Sequence, residues 1–218
     1  MLPLLLGRPD AGPVRMLAIG AHADDIEIGC GGTILKLIER DLLSDVCWVV
    51  LSGEGERAAE ARRSAESLLH GIAQPVVLVE DFVDGFFPFN GTRVKSFFER
   101  LKRDVSPDVV FTHQRDDLHQ DHRLACDLTW QTFRDHLILE YEVPKYDGDL
   151  GTPNLFVPLD ERLRRRKIDH LMGHFGSQLS KPWFNDELFS GLLRVRGMEC
   201  NSPTSYAEAF VCRKAMLA

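Results

Sequence analysis

Two short segments carry most of the residues that could do chemistry. The first, AHADDIEIGCGG at 21–32, sets His22 two positions before the adjacent acids Asp24 and Asp25. The second, HQRDDLHQDH at 113–122, holds three histidines (His113, His119, His122) and three aspartates (Asp116, Asp117, Asp121). Adjacent carboxylates repel, so the pair at 24–25 costs free energy unless a positive charge sits beside it. A divalent cation removes that cost. Imidazole nitrogen and carboxylate oxygen suit zinc, whose catalytic sites keep three protein ligands and one open position. His22 and Asp25 can supply two ligands from one tight turn, and His122 can supply the third. For the first segment alone the competing reading is structural, because acids ahead of a helix are ordinary capping residues. The second segment is more specific, and the two together favour a metal or acid–base site.

The surrounding elements must bring these segments together. VRMLAIGAH reads as a buried strand ending at the first cluster, and GGTILKLIERDLL as the helix after it, with Ile34, Leu35, Ile38 and Leu42 at helical spacing. DVCWVVLSG, PVVLV and PDVVFTHQ are further strands. ERAAEARRSAESLLHGI, TRVKSFFERLKRD and DHRLACDLTWQTFRDHL are the helices between and after them, and ILEYEV is another strand. Strand–helix alternation predicts an α/β fold: one Rossmann-like three-layer domain over 1–218, with a mainly parallel sheet and helices on both faces. Both clusters then fall at the carboxyl ends of strands, where such sheets bind ligands. After residue 144 the pattern loosens. PKYDGDLGTPN is turn-rich, LDERLRRRKIDHLMGHF is helical, and AEAFVCRK is expected as a final edge strand.

Composition bounds the rest. With 218 residues, 44% of them hydrophobic and 27% charged, the chain is of ordinary globular make-up. A net charge of −7 argues against a nucleic-acid partner. Five cysteines with no CxxC pair argue for free thiols in a reducing compartment. The N-terminal MLPLLLG is too short for a signal peptide or a membrane span, so a cytoplasmic protein without stable membrane insertion is expected.

The two clusters resemble the signature motifs of the PIG-L/LmbE-like family of zinc-dependent N-acetylglucosaminyl de-N-acetylases. The first family motif, AHPDDxExGxGG, stands here as AHADDIEIGCGG, with Ala23 in place of proline; the second, HxDH, stands as HQDH at 119–122. YEVP at 141–144 and the late RGMEC and YAEAF extend the likeness over most of the chain. The resemblance implies His22, Asp25 and His122 as metal ligands and Asp24 as general base. It implies His119 as the residue that steadies an oxyanion and acts as acid, oriented by Asp121. An arginine of the second helix would contact the sugar; Arg63 is the first choice, with Arg62 and Arg57 as alternatives and a solvated face paired to Glu66 as the structural reading. The implied activity is hydrolysis of the acetamide of an N-acetylated amino sugar or its conjugate, with zinc or another divalent metal as cofactor. A small molecule is then the partner, and the oligomeric state stays open. Metal-assisted phosphoester hydrolysis and a non-catalytic nucleotide- or metal-binding module are the alternatives.

Weaker signals read as structural. Gly29, Gly31 and Gly32 lack GxGxxG spacing and are expected in a tight strand-to-helix turn that needs close packing. DERLRRRKID at 160–169 is expected to be an exposed helix face balanced by acids. FVDGFFPFNG at 82–91 is read as packing or an interface rather than a sugar-pocket wall. His136, His170 and His174 are placed on helices away from the metal. Trp183 either covers the site or anchors a helix, and Glu140 and Tyr141 lie near a strand end where they could face the crevice.

Overall fold

The computed structural model describes residues 12–216; the MLPLLLG segment lies outside them. A seven-stranded sheet runs in the order β3-β2-β1-β4-β5-β7-β6. Its strands are β1 (Val14–Gly20), β2 (Leu43–Val50), β3 (Val76–Val79), β4 (Val109–His113), β5 (Leu137–Tyr141), β6 (Leu155–Leu159) and β7 (Tyr206–Cys212). The first five are parallel, with β1 against β2 on one side (Ala18 opposite Trp48) and β4 on the other (Ala18 opposite Phe111). The β1/β4 junction is where the strand order turns back, the place at which a doubly wound sheet opens a crevice.

The helices are α1 (Asp25–Glu39), α2 (Gly55–Leu68), α3 (Gly91–Asp104), α4 (Gln120–Thr132), α5 (Glu161–His174) and α6 (Asp186–Glu199). Alternate residues of each strand feed two cores. Met16 and Ala18 of β1 join side chains of α1, α2, α5 and α6 on one face of the sheet. Leu17 and Ile19 join α3 and α4 on the other. The buried stripe of α3 (Val94, Phe97, Phe98, Leu101) has the spacing of an amphipathic helix laid on a sheet. Asp160 and Asn185 cap α5 and α6, accepting the Leu163 and Leu188 N–H groups at 2.7 and 2.8 Å. The α/β class, the mainly parallel sheet and the helices on both faces are as the sequence predicts.

Three expectations are corrected. AEAFVCRK is not an edge strand: β7 lies between β5 and β6, antiparallel to both. The edge is β6, which carries Pro158, a residue that edge strands tolerate because one side needs no N–H. The glycine cluster is not in a turn, since α1 already begins at Asp25 and Gly29, Gly31 and Gly32 lie inside it. Close packing is nonetheless the reason for Gly29 and Gly32, whereas a Cβ at Gly31 would make only ordinary 3.8 Å contacts. A Cβ at Gly29 would stand 2.1 Å from the Tyr141 ring, and one at Gly32 would stand 2.5 Å from Leu159 and 2.9 Å from Glu208. Lastly, α4 ends at Thr132, which leaves His136 in the turn before β5.

Candidate active site

His22 lies two residues beyond β1, Asp24 caps α1 and Asp25 is its first residue. Across the β1/β4 junction, His113 ends β4, His119 caps α4, and Asp121 and His122 open it. The two strand ends are tied directly by the Ala21 N–H, which donates to His113 Nε2 at 2.9 Å. Segments 100 residues apart in sequence thereby meet at one point.

Three donor atoms form a near-equilateral triangle there. His22 Nδ1 lies 3.2 Å from His122 Nε2 and 3.4 Å from Asp25 Oδ2, and His122 Nε2 lies 3.5 Å from Asp25 Oδ2. Four-coordinate zinc with bonds of about 2.0–2.1 Å would space its donors about 3.3 Å apart. The far nitrogen of each imidazole meets a carboxylate. His122 Nδ1 is 2.9 Å from Asp117 Oδ2, and His22 Nε2 is 3.3 Å from Asp121 Oδ2 and 3.0 Å from Asp84 Oδ1. A carboxylate accepts, so each far nitrogen carries a proton, which leaves the nitrogen inside the triangle as the one that can present a lone pair to a cation. This is the partner arrangement that orients metal-binding histidines. Among the described residues, three overlapping groups that could hold a metal ion meet here: His22, His119 and His122; His22, Asp84, His119 and Asp121; and Asp25, His113 and His122.

The electrostatics suit a cation at this point. Burial works to push the Asp25 carboxyl up, but His122, His113 and His22 outweigh it and hold it well below the usual range. Burial likewise works to lower His22, but Asp25, Asp121 and Asp84 outweigh it and hold the ring well above its ordinary value. His122 is lowered to about 4, first by burial and then by His113 stacked 3.8 Å away. Asp24 is raised by burial, an effect that Arg57 opposes and Asp25 reinforces. Its Oδ1 accepts from Arg57 at 2.9 Å, while its buried Oδ2 has no hydrogen-bond partner.

The other expected site residues divide between the triangle and its surroundings. The His119 ring stands 4.9 Å from that of His22 and 4.7 Å from that of His122. Asp121 is fully buried, but its carboxylate accepts from the Gly85 and Phe87 N–H groups at 2.6 and 3.0 Å and faces His22. Its link to His119 is through its backbone N–H, which donates to His119 Nδ1 at 3.3 Å. Arg63 is exposed and makes no polar contact among those described, and Arg62 reaches the Val79 carbonyl; Arg57 is the arginine beside Asp24. Of the FVDGFFPFNG phenylalanines, Phe82 and Phe87 are buried and Phe86 and Phe89 are exposed. Tyr141 lies under the site, its hydroxyl donating to the Ile19 carbonyl and standing 3.3 Å from His113, whereas Glu140 serves Arg115, Trp130 and Arg213. Trp183 packs against Phe184 at the core edge. His170 and His174 stack on each other in α5.

Sequence reasoning assigns no role to Asp117, His113 or Asp84. Asp117 and His113 belong to the second cluster by spacing, but nothing in spacing shows that Asp117 faces the His122 ring. Asp84 comes from the β3–α3 loop, outside both clusters.

Residues 17–133 match the PIG-L family, GlcNAc-PI de-N-acetylase. YaiS of Escherichia coli (strain K12), an uncharacterized deacetylase, is 29% identical over an alignment 141 residues long that covers 59% of this chain and 74% of that protein. N,N'-diacetylchitobiose deacetylase from Pyrococcus horikoshii superposes with a TM-score of 0.68 at 20% identity, over 90% of this chain and 82% of its own. GalB, the 4-carboxy-2-hydroxymuconate hydratase of Pseudomonas putida KT2440, superposes with a TM-score of 0.73 at 18% identity, over 94% and 98%. A deacetylase and a hydratase thus share this fold, and the fold by itself does not choose the chemistry. The family match takes in more than half of the chain and both clusters: this chain belongs to the PIG-L family of de-N-acetylases.

Proposed function

We propose that the chain is a zinc-dependent hydrolase that removes the acetyl group from an N-acetylated amino sugar of the N-acetylglucosamine type, or from its conjugate. The observation that carries this reading is the triangle of His22 Nδ1, Asp25 Oδ2 and His122 Nε2, with sides of 3.2–3.5 Å and both outer nitrogens on carboxylates. Donor types, spacing and tautomers all fit one zinc ion. When bound, zinc supplies Lewis acidity, polarising a carbonyl and making water nucleophilic near neutral pH.

The chain's own residues then have separate tasks. Asp24 donates no atom to the triangle, and its unpartnered Oδ2 is free to take a proton from the attacking water. Burial raises its pKa towards the range in which a general base works best. His119 Nδ1 accepts the Asp121 N–H, so the neutral ring carries its proton on Nε2. That N–H is available to an oxyanion, and the proton that Asp24 takes from water is the one passed to the leaving amine. Asp121, in place of orienting His119 by its carboxylate, holds His22 and fixes the Gly85–Phe87 backbone. Arg57 steers Asp24 and keeps further N–H groups for sugar hydroxyls, the task expected of Arg63 from sequence. Five free thiols suit a cytoplasmic location, and among the described residues no helix is long and apolar enough to cross a membrane.

The test is acetate release from N-acetylglucosamine-bearing substrates, before and after chelation and again with zinc restored. Release that stops with chelator and returns with one zinc per chain supports the reading. A panel of N-acetyl sugars left intact by zinc-loaded protein refutes it.

A further inference from the structure

Between β5 and β6 the chain passes under the second cluster, and two of its side chains are directed at that cluster. Lys145, with its side chain 11% exposed, places Nζ 3.0 Å from Asp117 Oδ2 and 2.5 Å from Asp149 Oδ2. Asp149, 4% exposed at its side chain, accepts the Leu118 N–H at 2.6 Å, and its carbonyl accepts from Gln114 Nε2 at 2.8 Å. Asp117 is fully buried and receives the donors on the other side: the His119 N–H at 2.8 Å on Oδ1 and His122 Nδ1 at 2.9 Å on Oδ2. One ammonium therefore joins two carboxylates that between them hold the backbone of Leu118 and His119 and the ring of His122.

We propose that Lys145 and Asp149 are positioning residues: a clamp from outside both motif clusters that sets the metal affinity of His122 and the reach of His119. The proposal rests on the zinc reading above. The physical reason is charge. Asp117 and Asp149 crowd the same point, and without the ammonium two buried carboxylates would face each other and drive the 114–119 loop apart. Lys145 also shares Asp117 with His122, so the carboxylate orients the ring without drawing off its Nδ1 proton. Loss of such an outer partner costs about 10- to 100-fold in metal affinity or activity. The two residues differ in what they touch. Lys145 contacts Asp117 and so acts on both histidines, whereas Asp149 acts on the Leu118 N–H next to His119.

The experiment measures zinc dissociation constants by competition with a chromophoric chelator, with kcat and KM measured in parallel, for wild type, K145M, K145R and D149N. K145M is expected to bind zinc about 10- to 100-fold more weakly and to lose kcat at similar KM. K145R, which keeps the charge, is expected to recover most of both. D149N weakens the bond to the Leu118 N–H, because a neutral amide accepts less strongly than a carboxylate, and is expected to lower kcat with zinc affinity within threefold of wild type. A thermal scan of each apo-protein separates general unfolding from the specific effect; if K145M does not fold, the K145R and D149N results stand in its place. The proposal is overturned if K145M matches wild type within twofold in zinc affinity and kcat, or if D149N leaves kcat unchanged. If wild type binds no zinc, or binds it and hydrolyses nothing, the functional reading fails instead.

Discussion

Asp24→Asn separates the base from the metal. Asp24 lends no atom to the His22–Asp25–His122 triangle, and as the residue capping α1 it makes no side-chain capping bond. Asparagine has nearly the same size, and its carbonyl can keep the Arg57 contact, 2.9 Å long in the native protein. The fold and the ion are therefore expected to survive, with zinc affinity within about threefold and Tm within a few degrees. What disappears is a buried carboxylate oxygen without a partner, and an amide cannot accept the proton. General-base assistance is worth about 100- to 10,000-fold, which corresponds to about 2.7–5.5 kcal/mol of barrier. The expected outcome is a fall of that size in kcat at near-constant KM, measured as acetate release by zinc-loaded protein. A variant that keeps more than a tenth of wild-type kcat would refute the assignment of Asp24, and one that loses its zinc would refute the separation of base from ligands.

Gly29→Ala puts a Cβ 2.1 Å from the Tyr141 ring, so α1 or Tyr141 must move; overpacking of this kind costs about 1–3 kcal/mol, read as a lowered Tm, and kcat should fall with it because Tyr141 lies 3.3 Å from His113. Arg57→Ala should lower kcat/KM at least tenfold while Arg63→Ala stays within twofold, and equal effects in a side-by-side assay would contradict the placement of Arg57. His170 is held down to about 3, first by burial and then by His174. Its folded pKa lies below the unfolded value of about 6.5, so its contribution to stability is present above pH 6.5 and is lost as pH falls towards 3. Urea unfolding midpoints of H170Q should accordingly change less between pH 7 and pH 4.5 than those of wild type.

The meeting of His22, Asp25 and His122 was legible because these residues sit beside strand ends that apolar runs already mark. The Val14–Gly20 and Val109–His113 strands are buried on both faces and read as continuous hydrophobic stretches, so the residues just beyond them must surface at the same edge. Roles that depend on direction were not legible. Asp121 is one residue from His122, yet its carboxylate faces His22 because the Gly85 and Phe87 N–H groups hold it there. Arg57 and Arg63 lie on one helix, and six residues turn a side chain most of the way around a second turn of an α-helix, so which of the two meets the site depends on where the helix axis lies. The β6 strand escaped notice because Pro158 breaks its pattern, and β7 was misplaced because its buried Glu208 reads as an exposed polar position. In fact Glu208 is held by Lys167 at 2.6 Å and by the Gly32 N–H at 2.8 Å.

Zinc-edge X-ray absorption on purified, zinc-loaded protein, with the metal counted per chain, tests the central claim most directly. One ion per chain is expected, with two imidazole nitrogens and oxygen ligands at about 2.0–2.1 Å, and the two-imidazole signature should drop to one or vanish in His122→Ala. Zinc that shows no imidazole ligation, or a spectrum unchanged by the loss of His122, would contradict a cation shared between His22, Asp25 and His122.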